Sequence, residues 1–148
     1  TSVFDGIPRS MPALAYAAKV GAKASKVGFD WPAVDGAFAK IAEETAELDT
    51  AIAEHRSGAA DSGSAPGPAS SREVSAARAA EELGDLLFAV VNDARHLDIE
   101  PELALRAATD KFRARFEGVE RLAIERSIDL RAADLTTLDA LWDEVKGT

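Results

Sequence analysis

Two long stripes of apolar residues at helical spacing, with a stretch between them that cannot pack, constrain this chain most. Val34, Phe38, Ile41, Leu48 and Ile52 follow one another at intervals of three, four or seven residues. That interval keeps them on one side of a helix. Leu83, Leu86, Leu87, Val90, Ala94 and Leu97 form a second such face. Between the stripes, residues 57–71 are Ser, Gly, Ala and Pro with a single Asp61. This stretch has no large apolar side chain to offset the entropy of ordering it, so it reads as a flexible, solvated insertion loop. It is long for a helix–helix connection.

The remaining punctuation gives the other elements. A first helix is expected from about Pro12 to Val27, with Leu14, Ala18 and Ala22 on one side. The run Gly28-Phe29-Asp30-Trp31-Pro32 breaks it; Asp30 fits an N-cap, Pro32 an early helical position, and Trp31 a packing residue at the helix entry. A second helix should span about Ala33 to Arg56 and a third about Glu73 to Leu97. A fourth should start at Pro101, carry Leu105, Ala108, Phe112, Phe116 and Val119, and end near Arg126. A fifth should cover Leu135 to Val145. Alanine is abundant and aromatic residues make up 6% of the chain, a composition that favours helix. The expectation is therefore all-α: one domain over 1–148, a bundle of four to five helices. Helical pairs of this size often bury their remaining apolar face against a second copy.

Composition excludes several classes of function. The 148 residues contain no Cys, so disulfides and thiolate metal sites are ruled out. Only His55 and His96 could offer imidazole, which argues against zinc. No apolar run approaches the ~18 residues of a membrane span, and no signal peptide opens the chain. The default location is the cytoplasm. The chain begins at Thr1, as a processed chain or a domain of a longer one would. A net charge of −9 disfavours a nucleic-acid partner, although a bound cation can invert the local field for a single nucleotide.

The chemistry lies in two acidic clusters of similar form, Glu43-Glu44-x-x-Glu47 and Glu81-Glu82-x-x-Asp85. Each falls on one of the long expected helices, and residues three or four apart share a helix side. At about 100° per residue, Glu44 flanks the apolar stripe of its helix, with Glu47 about 60° away and Glu43 pointing further towards water. On the next helix Glu82, Asp85, Asn92 and His96 form one polar stripe. Geometry alone does not choose between Glu81 and Glu82, which lie about 40° and 60° from Asp85. Carboxylates converging from two helices form a hard oxygen cage suited to Mg²⁺ or Mn²⁺. Gly84 costs helix stability and suggests close approach by a backbone or ligand.

These residues resemble a known family. Glu-Glu-x-x-Glu followed by Glu-x-x-Asp on the next helix is similar to the all-α nucleoside triphosphate pyrophosphohydrolases, and within them to MazG. The segments Gly28 to Pro32, Glu81 to Ala89, Val91 to Leu97 and Lys111 to Phe116 all look like MazG segments. The similarity runs from about Gly6 to Lys146, and it is strongest to the C-terminal, catalytic repeat of two-repeat members. The resemblance implies Mg²⁺-dependent cleavage of a nucleoside triphosphate to monophosphate and pyrophosphate, serving nucleotide pool control or sanitation. It implies Glu44, Glu47, Glu82 and Asp85 as metal ligands, and Lys111 and Arg115 as the basic pair on the triphosphate. Trp142 and Lys146 match positions near the nucleotide, Asn92 matches a polar position facing the pocket, and a homodimer is implied. Glu43, Glu47 and Lys111 are the catalytic candidates, with Glu43 or Glu47 orienting water. The 57–71 insertion departs from the family pattern. Two other classes compete: a non-catalytic helical interaction domain, and a di-iron carboxylate bundle. The bundle needs two Glu-x-x-His motifs, and the only acid-x-x-His here is Asp93 to His96.

Overall fold

The structure, a computed structural model, describes residues 1–30, 34–60 and 69–147. Five helices follow in chain order: α1 (Ala13–Lys26), α2 (Val34–Ala60), α3 (Ala69–His96), α4 (Pro101–Glu125) and α5 (Leu135–Lys146). No strand occurs among the described residues, so the all-α expectation holds. Backbone packing divides the chain into two compact units, Thr1–Glu102 and Leu103–Thr148.

In the first unit α3 packs against both α2 and α1. Glu102, in the first turn of α4, supplies a missing cap. Pro12 at the start of α1 has no capping side chain, and a Glu102 carboxylate oxygen accepts the Ala15 N–H at 3.2 Å. That satisfies one of the donors left over in a first helical turn. Gly21 sets the approach of α1 to α3: a Cβ there would lie 2.9 Å from Asn92 Oδ1.

Helices α2 and α3 run antiparallel, since His55 Nδ1 meets Ser75 Oγ at 2.8 Å near one end while Glu47 meets Glu82 further along. Both extend further into the 57–71 stretch than the composition suggested. α2 continues through Ser57 and Gly58 to Ala60, and α3 begins at Ala69. Pairing of Glu54 with Arg78 and of His55 with Ser75 holds their adjoining ends together, and alanines extend a held helix at little cost. The centre of the expected loop, 61–68, lies outside the described residues, as do Trp31 and Pro32.

The seam between these helices differs from the expected one. On α2 the buried residues are Ala37, Glu44 and Ala51, seven apart. On α3 the matching row is Ser75, Glu82, Ala89 and His96, also seven apart. A seven-residue repeat is the signature of helices packed side by side, and small residues let their axes approach. Most of the large apolar face expected to be the core of α3 is instead open, while Val91, outside that face, is buried. Leu83, Leu87, Val90 and Leu97 are 44–48% exposed, and Phe38 on α2 is also exposed. Part of the polar stripe of α3 turns inward: Glu82 meets Glu44 and Glu47 of α2, and Asn92 is buried with Gly21 of α1 against it, while Asp85 stays exposed. A short polar side chain fits a close helix crossing that a leucine would hold apart.

The second unit is built conventionally. Val119, Ala123 and Leu141 form its buried centre, with Leu122, Ile128, Leu130, Trp142 and Val145 packed around them. Asp134 caps α5 by accepting the Thr137 N–H at 2.9 Å. Gly118 on α4 faces Val145 of α5 so closely that a Cβ would lie 2.9 Å from its Cγ1.

Candidate functional site

At the middle of the α2–α3 seam, the row of small residues is interrupted on both helices by glutamate. Glu44 and Glu82 take the seam positions and Glu47 stands one turn along from Glu44. One carboxylate oxygen from each of the three lies within 4.8 Å of the others. Glu44 is only 5% exposed. One oxygen of Glu44 and one of Glu82, the Oε2 in each case, are buried without a hydrogen-bond partner among the described residues. A buried carboxylate left bare is costly, so this site is chemically incomplete as a purely structural feature.

The electrostatics agree. The pKa of Glu47 is raised, first by the charge of Glu44, then by loss of solvation and by a hydrogen-bonding contact with Glu82. The like charges beside Glu47 disfavour its ionised form unless a cation joins the group. Lys40, one turn before Glu44, supplies some relief. Its Nζ lies 2.9 Å from Glu44 Oε1 and 3.4 Å from Glu43 Oε2, and its pKa is raised, foremost by the hydrogen bond to Glu44. Lys40 was missing from the candidates drawn from sequence. Its spacing, i−3 and i−4 from two acids of the motif, is the signal that could have found it.

The other candidates are placed as follows. Glu43 is exposed beside Glu44, reaching back to Lys40. Glu81 is exposed, so of the adjacent pair it is Glu82 that enters the seam. Asp85 is exposed one turn beyond Glu82, and the three-acid group does not include it. Asn92 is buried against Gly21. No atom lies within 4 Å of a Cβ built at Gly84, so the expected close approach is not found in the described chain. His96 is half-buried and its Nε2 lies 3.1 Å from Asp30, which also takes both terminal nitrogens of Arg95 at 2.7 and 2.8 Å. The Asp30 carboxylate, expected as a helix cap, thus ties the segment after α1 to the end of α3. Asp93 is buried with neither oxygen partnered among the described residues, and burial pushes its pKa up while His96 pulls it down.

In the second unit, Lys111 is exposed on α4 and Arg115 is half-buried one turn later. Trp142 packs its ring against Phe112, centroids 5.2 Å apart, which makes it part of that unit's core as well as a nucleotide candidate. Lys146 is exposed at the last position of α5.

The donor set decides what the cluster could hold. Three carboxylates, with no imidazole or thiolate among them, suit a hard cation such as Mg²⁺ or Mn²⁺ and fit zinc or di-iron poorly. The two bare buried oxygens are the observation that fits a cation to these residues.

Comparison with known proteins gives consistent matches. Residues 35–119, which hold both acidic motifs, match the MazG nucleotide pyrophosphohydrolase domain. A protein named nucleoside triphosphate pyrophosphohydrolase from Escherichia coli (strain K12) is 39% identical over 145 residues, covering 98% of this chain and 49% of the relative. A Thermotoga maritima protein named nucleoside triphosphate pyrophosphohydrolase/pyrophosphatase MazG is 37% identical over 137 residues, covering 93% of this chain and 45% of the relative. The uncharacterized protein YabN of Bacillus subtilis (strain 168) is 49% identical over 67 residues, 14% of its length. The chain spans about half the length of the first two curated relatives it matches.

Proposed function

The chain belongs to the MazG nucleotide pyrophosphohydrolase family, and from that premise we propose that it cleaves nucleoside triphosphates to the monophosphate and pyrophosphate. The observation that carries this reading is the group of Glu44, Glu47 and Glu82 in a helix seam with bare buried oxygens. These three, with Asp85 one turn along α3 from Glu82, are the proposed ligands of Mg²⁺, with Mn²⁺ as a substitute. A divalent cation bound there would neutralise phosphate charge and lower the pKa of a bound water.

The chain's own residues carry the rest. Water oxygen attacks the α-phosphorus as the bond from that phosphorus to the α–β bridging oxygen breaks, and pyrophosphate leaves with the electron pair. Glu43 orients the attacking water and takes its proton; Glu47, the other candidate, is committed to the cluster. Lys111 and Arg115, four apart on α4, form a cationic pair suited to triphosphate oxygens. Trp142 offers a ring face to a base and Lys146 a further positive charge, while Asn92 lends a polar side chain at the α1 end of α3. Control or sanitation of the nucleotide pool is the role this reaction serves.

We further propose a homodimer. Leu83, Leu87, Val90 and Phe38 expose an apolar stripe on the two helices that carry the carboxylates, and a second copy would cover it. Light scattering checks this: a monomeric mass at micromolar concentration overturns the dimer. No helix among the described residues is long and apolar enough to cross a membrane, and a cytoplasmic location is proposed.

The activity test is pyrophosphate release from a panel of ribo-, deoxy- and damaged nucleoside triphosphates with Mg²⁺. Wild type should release pyrophosphate, and Glu44→Ala and Asp85→Ala should not. Full activity in both variants removes the site assignment. A wild-type chain that binds neither Mg²⁺ nor nucleotide in calorimetry would favour the non-catalytic interaction domain instead.

A further inference from the structure

We propose that Lys40 is the resident counter-ion of the carboxylate cluster, holding the place of the divalent cation and yielding it when that cation binds. This inference rests on reading the cluster as a metal site.

A carboxylate as deeply buried as Glu44, 5% exposed, needs a positive partner whether or not a metal is bound. Lys40 is that partner, at 2.9 Å from Oε1. It leaves Oε2 buried and bare, so the metal-free carboxylate is half satisfied. Ordinary helix-surface pairing does not account for the contact. Lysine placed before glutamate at i,i+4 is the weaker orientation on an isolated helix. The contact gains its importance from the burial of Glu44 and from the second acid, Glu43, that Lys40 also holds at 3.4 Å.

Lys40 is also built to leave. Its side chain is 33% exposed while that of Glu44 is 7% exposed, so the flexible stem can swing into solvent without disturbing the seam. A dication at the cluster would repel an ammonium this close. Whatever stability Lys40 confers on the metal-free state is then subtracted from the free energy of metal binding. The device lets a seam of acids stay folded before metal arrives, at the expense of metal affinity.

The test uses the full chain without nucleotide. Mg²⁺ is titrated by calorimetry into wild type, Lys40→Met, Lys40→Arg and Glu44→Gln, and thermal unfolding is followed with and without Mg²⁺. Lys40→Met should unfold at lower temperature when metal-free, gain more from Mg²⁺, and bind Mg²⁺ roughly tenfold more tightly. Lys40→Arg should stay near wild type. A lysine that merely supported the helix would lower the midpoint and leave Mg²⁺ affinity unchanged, and that result overturns the proposal, as does weaker binding by Lys40→Met. If Lys40→Met is unfolded without metal, refolding on Mg²⁺ addition supports the proposal, and failure to refold at saturating Mg²⁺ overturns it. Equal Mg²⁺ binding by wild type and Glu44→Gln would instead sink the metal-site reading itself. Loss of binding in Glu44→Gln with no change in Lys40→Met sinks only the role of Lys40.

Discussion

The α2–α3 seam and the α4–α5 core are both helix pairs, yet they bury opposite kinds of side chain. The α4–α5 core buries Leu141, Val119 and Ala123 among further aliphatic groups. The α2–α3 seam buries two alanines on α2 with Glu44 between them, and faces them with Ser75, Glu82 and Ala89. A fully buried leucine is worth about 1.5–3 kcal/mol, whereas a buried carboxylate is a liability until something neutralises it. The α4–α5 pair is therefore suited to holding a shape and the α2–α3 pair to holding charges. The difference teaches that the stability of the seam is conditional on what the charges meet.

Substitutions in the two helix pairs should therefore behave differently. The largest effect should come from Glu44→Gln, which keeps the shape and removes the charge. Pyrophosphate release should fall roughly 10²–10³-fold or more, while the metal-free protein becomes as stable as wild type or more so, by up to about 3 kcal/mol in urea unfolding. A large loss of metal-free stability would show that the seam is not strained by its acids. Next, Leu141→Ala in the α4–α5 core should cost about 2–5 kcal/mol, the usual outcome for a cavity where the side chain was fully buried. Denaturant unfolding with and without Mg²⁺ should give the same loss, since no charge is involved. Gly118→Ala is a finer probe. It gains up to about 1 kcal/mol of helix propensity, but its Cβ meets the stiff Val145 side chain, and overpacking of about 1–3 kcal/mol should win. A stabilised variant would mean the two helices separate more easily than their packing implies.

The smallest effect concerns pH. The Asp134 carboxyl is held below the ordinary aspartate value of 3.8, chiefly by its hydrogen bonds from Thr137. A depressed folded-state pKa stabilises above the unfolded value and is lost as pH falls through the folded one. Asp134→Ala should therefore melt below wild type at neutral pH, and the gap should close as pH drops beneath 3.8. A gap that persists unchanged in acid would assign the cap's contribution to something other than charge.

Much of this was legible beforehand. The five helices and the placing of the two acidic motifs on α2 and α3 follow from spacing and punctuation; that Glu44, Glu47 and Glu82 come together without Asp85 does not. The inward face of α3 was not legible, because hydropathy ranks Leu83 and Leu87 above Ala89 and Asn92. The chain instead buries Ala89, Val91 and Asn92 on α3, and leaves Leu83, Leu87 and Val90 open. The role of Lys40 was hidden for a related reason: a lysine near acids reads as solvated until the burial of Glu44 is known. The choice of Glu82 over Glu81 also required the seam, since both lie close to Asp85 on a helical wheel.

Glu54 with Arg78 and His55 with Ser75 fasten α2 and α3 about two turns from the carboxylates. Those fasteners set the register in which Glu47 and Glu82 face each other before the chain reaches 61–68. A chain lengthened or cut within 61–68 is therefore expected to keep Glu47 opposite Glu82, which Mg²⁺ calorimetry on the altered chain would check.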